Sequence, residues 1–261
     1  MCAARRCYPY TYSDLRAYLA RVQADPLRAR HVRRQRLALT IAGNECEMLW
    51  ITDHASPAEA VNARPVVAIS ARVHPGESNA SWMMQGIIDY LTGRSAEADA
   101  LRRHCLFLIV PMLNPDGVIC GNYRCSLAAV DLNRRWARPS SKLHPTVHAL
   151  KKLLLRLHVR QPVAIYVDLH GHSRKQRVFM YGCEENSSGG SNSKRIGNCN
   201  GPLLQQVFPL LVSRVCGTQQ DGSKEAKLTP KDNFFSFASC NYSIKKSKVR
   251  RAGSRSPSRM T

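Results

Sequence analysis

The chain has 261 residues, enough for one large domain or two small ones, and its 44% hydrophobic content can bury a substantial core. A net charge of +21 and a pI near 10.0 exclude the balanced surface of an ordinary soluble enzyme and predict attraction to polyanions, whether nucleic acid, anionic membrane or acidic protein tails. The cysteines form no C-x-x-C pair, no apolar run approaches the ~20 residues of a membrane span, and MCAARRCYPYTY lacks a signal-peptide core, so a cytosolic chain with reduced thiols is expected.

In chain order, Tyr12 to Asp25 reads as a helix capped by Ser13, with Leu15, Tyr18, Leu19 and Val22 as its apolar stripe. Arg33 to Ile41 and Glu47 to Thr52 read as a hairpin around the Gly43-Asn44 turn. A loop from Ala55 to Arg64 leads into a strand, Pro65 to Ser70. A helix is predicted over Ala80 to Leu91, with Trp82 among its apolar positions and Gly93 closing it, and a shorter one over Ser95 to Arg103. Cys105 to Leu113 is an almost unbroken apolar run, as a strand buried on both faces requires. An amphipathic helix over Pro145 to His158 precedes a third buried strand, Val163 to Leu169, and Val178 to Tyr181 reads as a fourth. A mobile loop, Asn186 to Gly201, and a helix, Pro202 to Val215, follow. Strands alternating with helices predict an α/β fold: a mixed, mostly parallel sheet with helices on both faces.

Three of these strands run straight into polar, turn-rich segments: ARVHPGE, MLNPDG and DLHGH. In open α/β sheets, sites form in the crevice beyond the carboxyl ends of the strands. His74 and Glu77 are separated only by Pro75 and Gly76, which exclude a helix and put both side chains on one tight turn. A catalytic zinc takes three protein ligands and keeps one position open. His170 is the natural third, with His172 competing from the opposite side of an extended segment. The H-x-x-E-H metalloprotease pattern fails, because Ser78 follows Glu77. Between these pieces lie GNYRCS, with Arg124, and VDLNRRW, where Arg134 beside Asn133 could clamp a carboxylate through its planar fork.

Together, RVHPGESNASWMM, PMLNPDGVICGNYRCSLAAVDLNRRW, LHPTVHALKKLL and DLHGHSRKQRVFMYGC resemble the cytosolic carboxypeptidases, the tubulin-deglutamylating branch of the zinc metallocarboxypeptidases. The resemblance runs from about Tyr8 to about Lys248. It implies a zinc carboxypeptidase-like fold in which His74, Glu77 and His170 bind one Zn2+ ion. It implies that Arg124 polarises the scissile carbonyl, and that Asn133 and Arg134 grip the substrate's terminal carboxylate. The implied activity is removal of glutamates from acidic C-terminal tails or polyglutamate side chains, with tubulin and the microtubule as foremost partners.

The sequence also departs from that family. VRRAGSRSPSRMT resembles nothing in a carboxypeptidase, so the expected organisation is a catalytic domain over 8–248, incomplete at its C-terminal end, and a basic Arg/Ser-rich disordered tail over 249–261. The glutamate that serves the family as general base is not found: beyond His170 only Glu184, Glu185 and Glu225 occur, in contexts that do not match its motif. A truncated, non-hydrolytic form that binds zinc and acidic tails is the alternative this raises. One short Arg/Ser copy without an aromatic platform weighs little for nucleic-acid binding.

Overall fold

The computed structural model describes residues 8–174, 178–182, 207–212 and 241–242. A first compact unit runs to Gly171, and a second begins at His172. Helix α1 (Tyr12–Ala24) is capped by Thr11 rather than Ser13. The Thr11 hydroxyl accepts from the Asp14 N–H (3.0 Å) and the Asp14 carboxylate accepts from the Thr11 N–H (2.8 Å), a closed capping box. One helical turn, α2 (Pro26–Ala29), leads to the hairpin of β1 (Val32–Leu39) and β2 (Glu45–Ile51), with Gly43 supplying the positive φ (79°) of the turn. The segment expected as a loop before the next strand folds into a short helix, α3 (Ala58–Ala63), whose Ala-rich sequence favours helix once its ends are held. The buried Arg64 and Gln161 do this, the latter donating to the Val61 carbonyl at 3.1 Å.

Strand β3 (Val66–Ala71), helices α4 (Ser78–Leu91) and α5 (Ala96–His104), and the wholly buried β4 (Leu106–Val110) follow. Asn114 then caps α6 (Pro115–Ile119), a 3-10 turn spans Leu132–Arg134, and α7 (Pro145–Arg160) leads into β5 (Val163–Leu169). In the second unit, β6 (Tyr181–Gly182) pairs in parallel with β7 (Asn241–Tyr242). The stretch 207–212 is helical, inside the helix predicted over Pro202 to Val215. The rest of that helix, the Asn186 to Gly201 loop, Glu184, Glu185, Glu225 and the 249–261 tail lie outside the described residues.

The main sheet has the order β1-β2-β4-β3-β5. It is not mostly parallel: β1 with β2 and β2 with β4 are antiparallel, while β3 with β4 and β3 with β5 are parallel. A tight turn forces β1 and β2 to be antiparallel, and the hairpin then joins the sheet through β2 instead of standing apart from it. Residues of α1 and α4 (Leu15, Leu19, Met84, Ile88) pack with Leu49, Ile51, Phe107 and Ile109 on one face of the sheet. The alternate residues Ala68, Leu108 and Val110 are equally buried, and α7, which packs on β1 and β5, lies outside that cluster.

Two positions depart from the expected burial. Trp82 is 40% exposed and meets the rings of Tyr8 and Tyr10, leaving the α4 stripe to Ala80, Met84, Ile88 and Leu91. Strand β5 is half-buried along most of its length and stands last in the strand order. The parallel set matters most for function. From β3 the chain moves to β4 on one side and later returns to β5 on the other, which opens a crevice at the carboxyl end of β3.

Candidate metal centre

All three polar segments leave the parallel strands at that edge. Ala71 at the end of β3 is in register with Leu169 at the end of β5, so the residues that follow each strand meet. The buried His74 and the half-buried His170 have ring centroids 5.0 Å apart. The predicted turn between His74 and Glu77 is present, closed by the Glu77 N–H donating to the His74 carbonyl (3.2 Å). Glycine is required at position 76, where the N–H donates to the Tyr123 carbonyl (2.8 Å) and an added Cβ would stand 2.7 Å from that same oxygen. The MLNPDG segment braces this turn. Asn114 donates to the Val73 carbonyl at 3.2 Å, and a Cβ on Gly117 would collide with Pro75.

Glu77 lies between the two imidazoles, with Oε1 2.9 Å from His74 Nδ1 and Oε2 3.1 Å from His170 Nδ1. The Gly171 N–H donates to the same Oε2 at 2.8 Å. Burial pushes the Glu77 carboxyl up, but the hydrogen bonds from His170, His74 and Gly171 outweigh it and bring the group down to about 2. Each imidazole meets a second carboxylate at its far nitrogen: Asp131 lies 3.0 Å from His74 Nε2, and Asp168 lies 2.7 Å from His170 Nε2. Each imidazole therefore stands between two carboxylates; with Nε2 donating to its aspartate, Nδ1 is the atom left to face an ion shared with Glu77.

One donor atom from each of His74, Glu77 and His170 lies within 4.8 Å of the others. Ligands about 2.0–2.2 Å from a tetrahedral zinc stand about 3.3–3.5 Å from one another. The two Glu77–imidazole separations, 2.9 and 3.1 Å, lie a few tenths of an ångström inside that, and a nitrogen, nitrogen, oxygen donor set suits zinc, so these residues fit such an ion.

Asp131 gathers the remaining expected residues. It caps the 3-10 turn by accepting from the Asn133 N–H (2.8 Å), and its other oxygen accepts from Arg124 Nε (2.9 Å) and Nη2 (2.8 Å). Arg124 keeps 45% of its side chain exposed. The Asn133 Oδ1 atom is buried without a hydrogen-bond partner among the described residues, and Arg134 is exposed on the same turn. His172 falls in the second unit, where its Nδ1 accepts from the Arg174 N–H (3.2 Å) and its ring meets Phe179.

Sequence reasoning gave no role to Asp131 or Asp168, nor to Ser70, whose hydroxyl donates to Asp168 (2.6 Å) from the adjacent strand. A shared pattern was available: each aspartate stands two residues before a candidate site residue, in D-L-N and D-L-H.

A family model described as zinc carboxypeptidase matches residues 16–195, which contain all six expected site residues. The chain belongs to the zinc carboxypeptidase family. Within it, the similarity lies in the cytosolic carboxypeptidase branch. The chain is 42% identical over 247 residues to cytosolic carboxypeptidase 3 of Mus musculus and 42% identical over 247 residues to cytosolic carboxypeptidase 2 of Danio rerio. Each match covers 95% of this chain but only 22% and 31%, respectively, of those carboxypeptidases, so the chain spans less than a third of either. The solved metallo-carboxypeptidase of Burkholderia cenocepacia shares the zinc carboxypeptidase fold at TM-score 0.65 and 24% identity, over 93% of this chain and 55% of that one. Among the described residues, no helix is long and apolar enough to cross a membrane.

Proposed function

We propose that the chain binds one zinc ion through His74, Glu77 and His170 and serves a metallocarboxypeptidase reaction that removes glutamates from acidic protein tails, those of tubulin foremost. The observation that carries the proposal is the convergence of the three donors at the carboxyl edge of β3 and β5, each imidazole backed by a carboxylate. A zinc ion held there would act as a Lewis acid toward a carbonyl oxygen and ease the ionisation of water.

The chain's own residues supply the rest. Asp131 and Asp168 hold the two imidazoles in the tautomer that offers Nδ1. Arg124 stands half-exposed at the rim, tethered through Asp131, where its guanidinium can stabilise the oxyanion that develops on the scissile carbonyl. Asn133 and Arg134 share one turn beside it and offer an amide and a forked cation to a terminal carboxylate. The net charge of +21 favours the approach of an acidic tail.

The test is incubation of the zinc-loaded chain with a polyglutamylated tubulin-tail peptide, measuring free glutamate. Release that disappears in Arg134→Ala supports the reading. Stoichiometric zinc and retention of the peptide without release would instead assign the chain as a binder.

A further inference from the structure

The turn that carries His74 starts from a residue in the left-handed region. Arg72 has φ 58°, where a Cβ crowds the following carbonyl oxygen, and a bulky side chain there is rare. The same residue is only 4% exposed, so its charge is also withdrawn from water. A glycine would make this turn without either cost. The side chain must therefore do something the backbone alone does not.

Its hydrogen bonds show what that is. Nε donates to the Pro75 carbonyl (2.9 Å), inside the turn between His74 and Glu77. Nη1 donates to the Tyr10 carbonyl (3.0 Å) and to Ser81 Oγ (2.8 Å). One planar fork thus joins the metal-ligand turn to the first turn of α4 and to the segment preceding α1. That segment is itself fixed: Tyr10 is buried edge-on against Trp82, and Trp82 Nε1 donates to the Tyr8 carbonyl at 3.2 Å.

We infer that Arg72 is a positioning residue of the metal centre, clamping the Pro75 carbonyl to α4 and to the Tyr8–Tyr10 segment so that His74 and Glu77 stay at ligand separation before an ion arrives. This rests on the zinc reading of His74, Glu77 and His170. A lysine cannot replace it, because a point charge cannot satisfy acceptors in three directions as a fork does. The competing role is purely structural, with Arg72 anchoring the N-terminal segment and leaving the metal site indifferent.

Zinc affinity separates the two roles. The 261-residue chain and its Arg72→Gly, Arg72→Lys and Ser81→Ala variants are stripped of metal. Each is then titrated with Zn2+ against a chromogenic chelator and, separately, with Co2+ to record its visible absorption. Arg72→Gly keeps the left-handed turn and removes the clamp. It is expected to weaken zinc binding about 10–100-fold, the usual effect of losing a partner that orients a ligand, and to alter the Co2+ bands.

Arg72→Lys falls between Arg72→Gly and the parent. Ser81→Ala leaves the backbone alone and removes one acceptor, so it weakens zinc binding about 5-fold, the worth of one hydrogen bond. It decides the matter if Arg72→Gly does not fold. Parent-like zinc affinity and Co2+ bands in Ser81→Ala, with Arg72→Gly either unfolded or also parent-like, overturn the inference. A parent chain that binds no zinc overturns the site reading itself and the inference with it.

Discussion

At the scale of single residues, Asp131 is where the candidate site is most concentrated. One carboxylate accepts from His74 Nε2, from the Arg124 guanidinium and from the Asn133 N–H. Burial pushes its carboxyl up, and the hydrogen bonds from the Asn133 N–H and His74, with the Arg124 charge, more than offset this, holding it below the usual carboxylate range. Asp131→Asn preserves shape but removes the charge that sets the His74 tautomer. It should weaken zinc binding about 10–100-fold, measured by chelator competition, whereas unchanged affinity would show that His74 needs no such support. His74, Glu77 and His170 were legible in the sequence because chemically capable residues stood in turn-rich segments straight after apolar runs. Asp131 and Asp168 share the D-L-N and D-L-H spacing, but so short a pattern names no partner, since most of what each carboxylate meets is set by the fold. Asp131 meets a residue 57 positions away, and Asp168 meets Ser70 through strand register. Arg72 was hidden for another reason: no sequence pattern announces a non-glycine residue with positive φ.

At the scale of elements, the hairpin of β1 and β2 shows how a motif that looked chemical proves architectural. Asp116, within MLNPDG, is 5% exposed and accepts from Thr40 Oγ1 (2.5 Å), the Ala42 N–H (3.1 Å) and Asn44 Nδ2 (2.8 Å). It therefore pins the hairpin turn to α6, which packs against Pro75. Asp116→Ala should lower stability by about 3 kcal/mol, since it strands buried donors that had a charged acceptor. Urea unfolding measures this, and zinc stoichiometry should survive in the folded fraction. A loss below about 0.5 kcal/mol would mean the turn holds itself. The hairpin was readable from its turn residues, as were β3 and β4 from their apolar runs. The direction in which the hairpin joins the sheet was not, because the pairing of β2 with β4 depends on no local pattern. Helix α3 escaped for a related reason, as Gln161 holds its last turn from across the fold by donating to the Val61 and Arg64 carbonyls.

At the scale of the molecule, the buried tyrosines set an alkaline limit. Burial, reinforced by the Asp14 charge, raises Tyr10 to about 12. Tyr18 is raised by burial and its hydrogen bond to Asp89, and Tyr166 by burial and the Asp168 charge. A folded-state pKa above the unfolded value near 10 means the fold favours the neutral form. Stability from this source is intact below about pH 10 and is lost as the pH rises through about 12. The urea midpoint should therefore fall across that window in step with tyrosinate absorbance. Full ionisation near pH 10 with the fold intact would contradict the burial of these rings.

The proposed function depends on one crevice, at the carboxyl ends of β3 and β5, that would hold one ion on three named ligands. Zinc content of the purified chain and of His74→Ala, His170→Ala and His172→Ala, measured by atomic emission after dialysis, tests this most directly. One zinc per chain, lost in His74→Ala and His170→Ala and kept in His172→Ala, is the predicted result. A parent chain without zinc, or one that loses it in His172→Ala and retains it in His170→Ala, would contradict this ligand assignment.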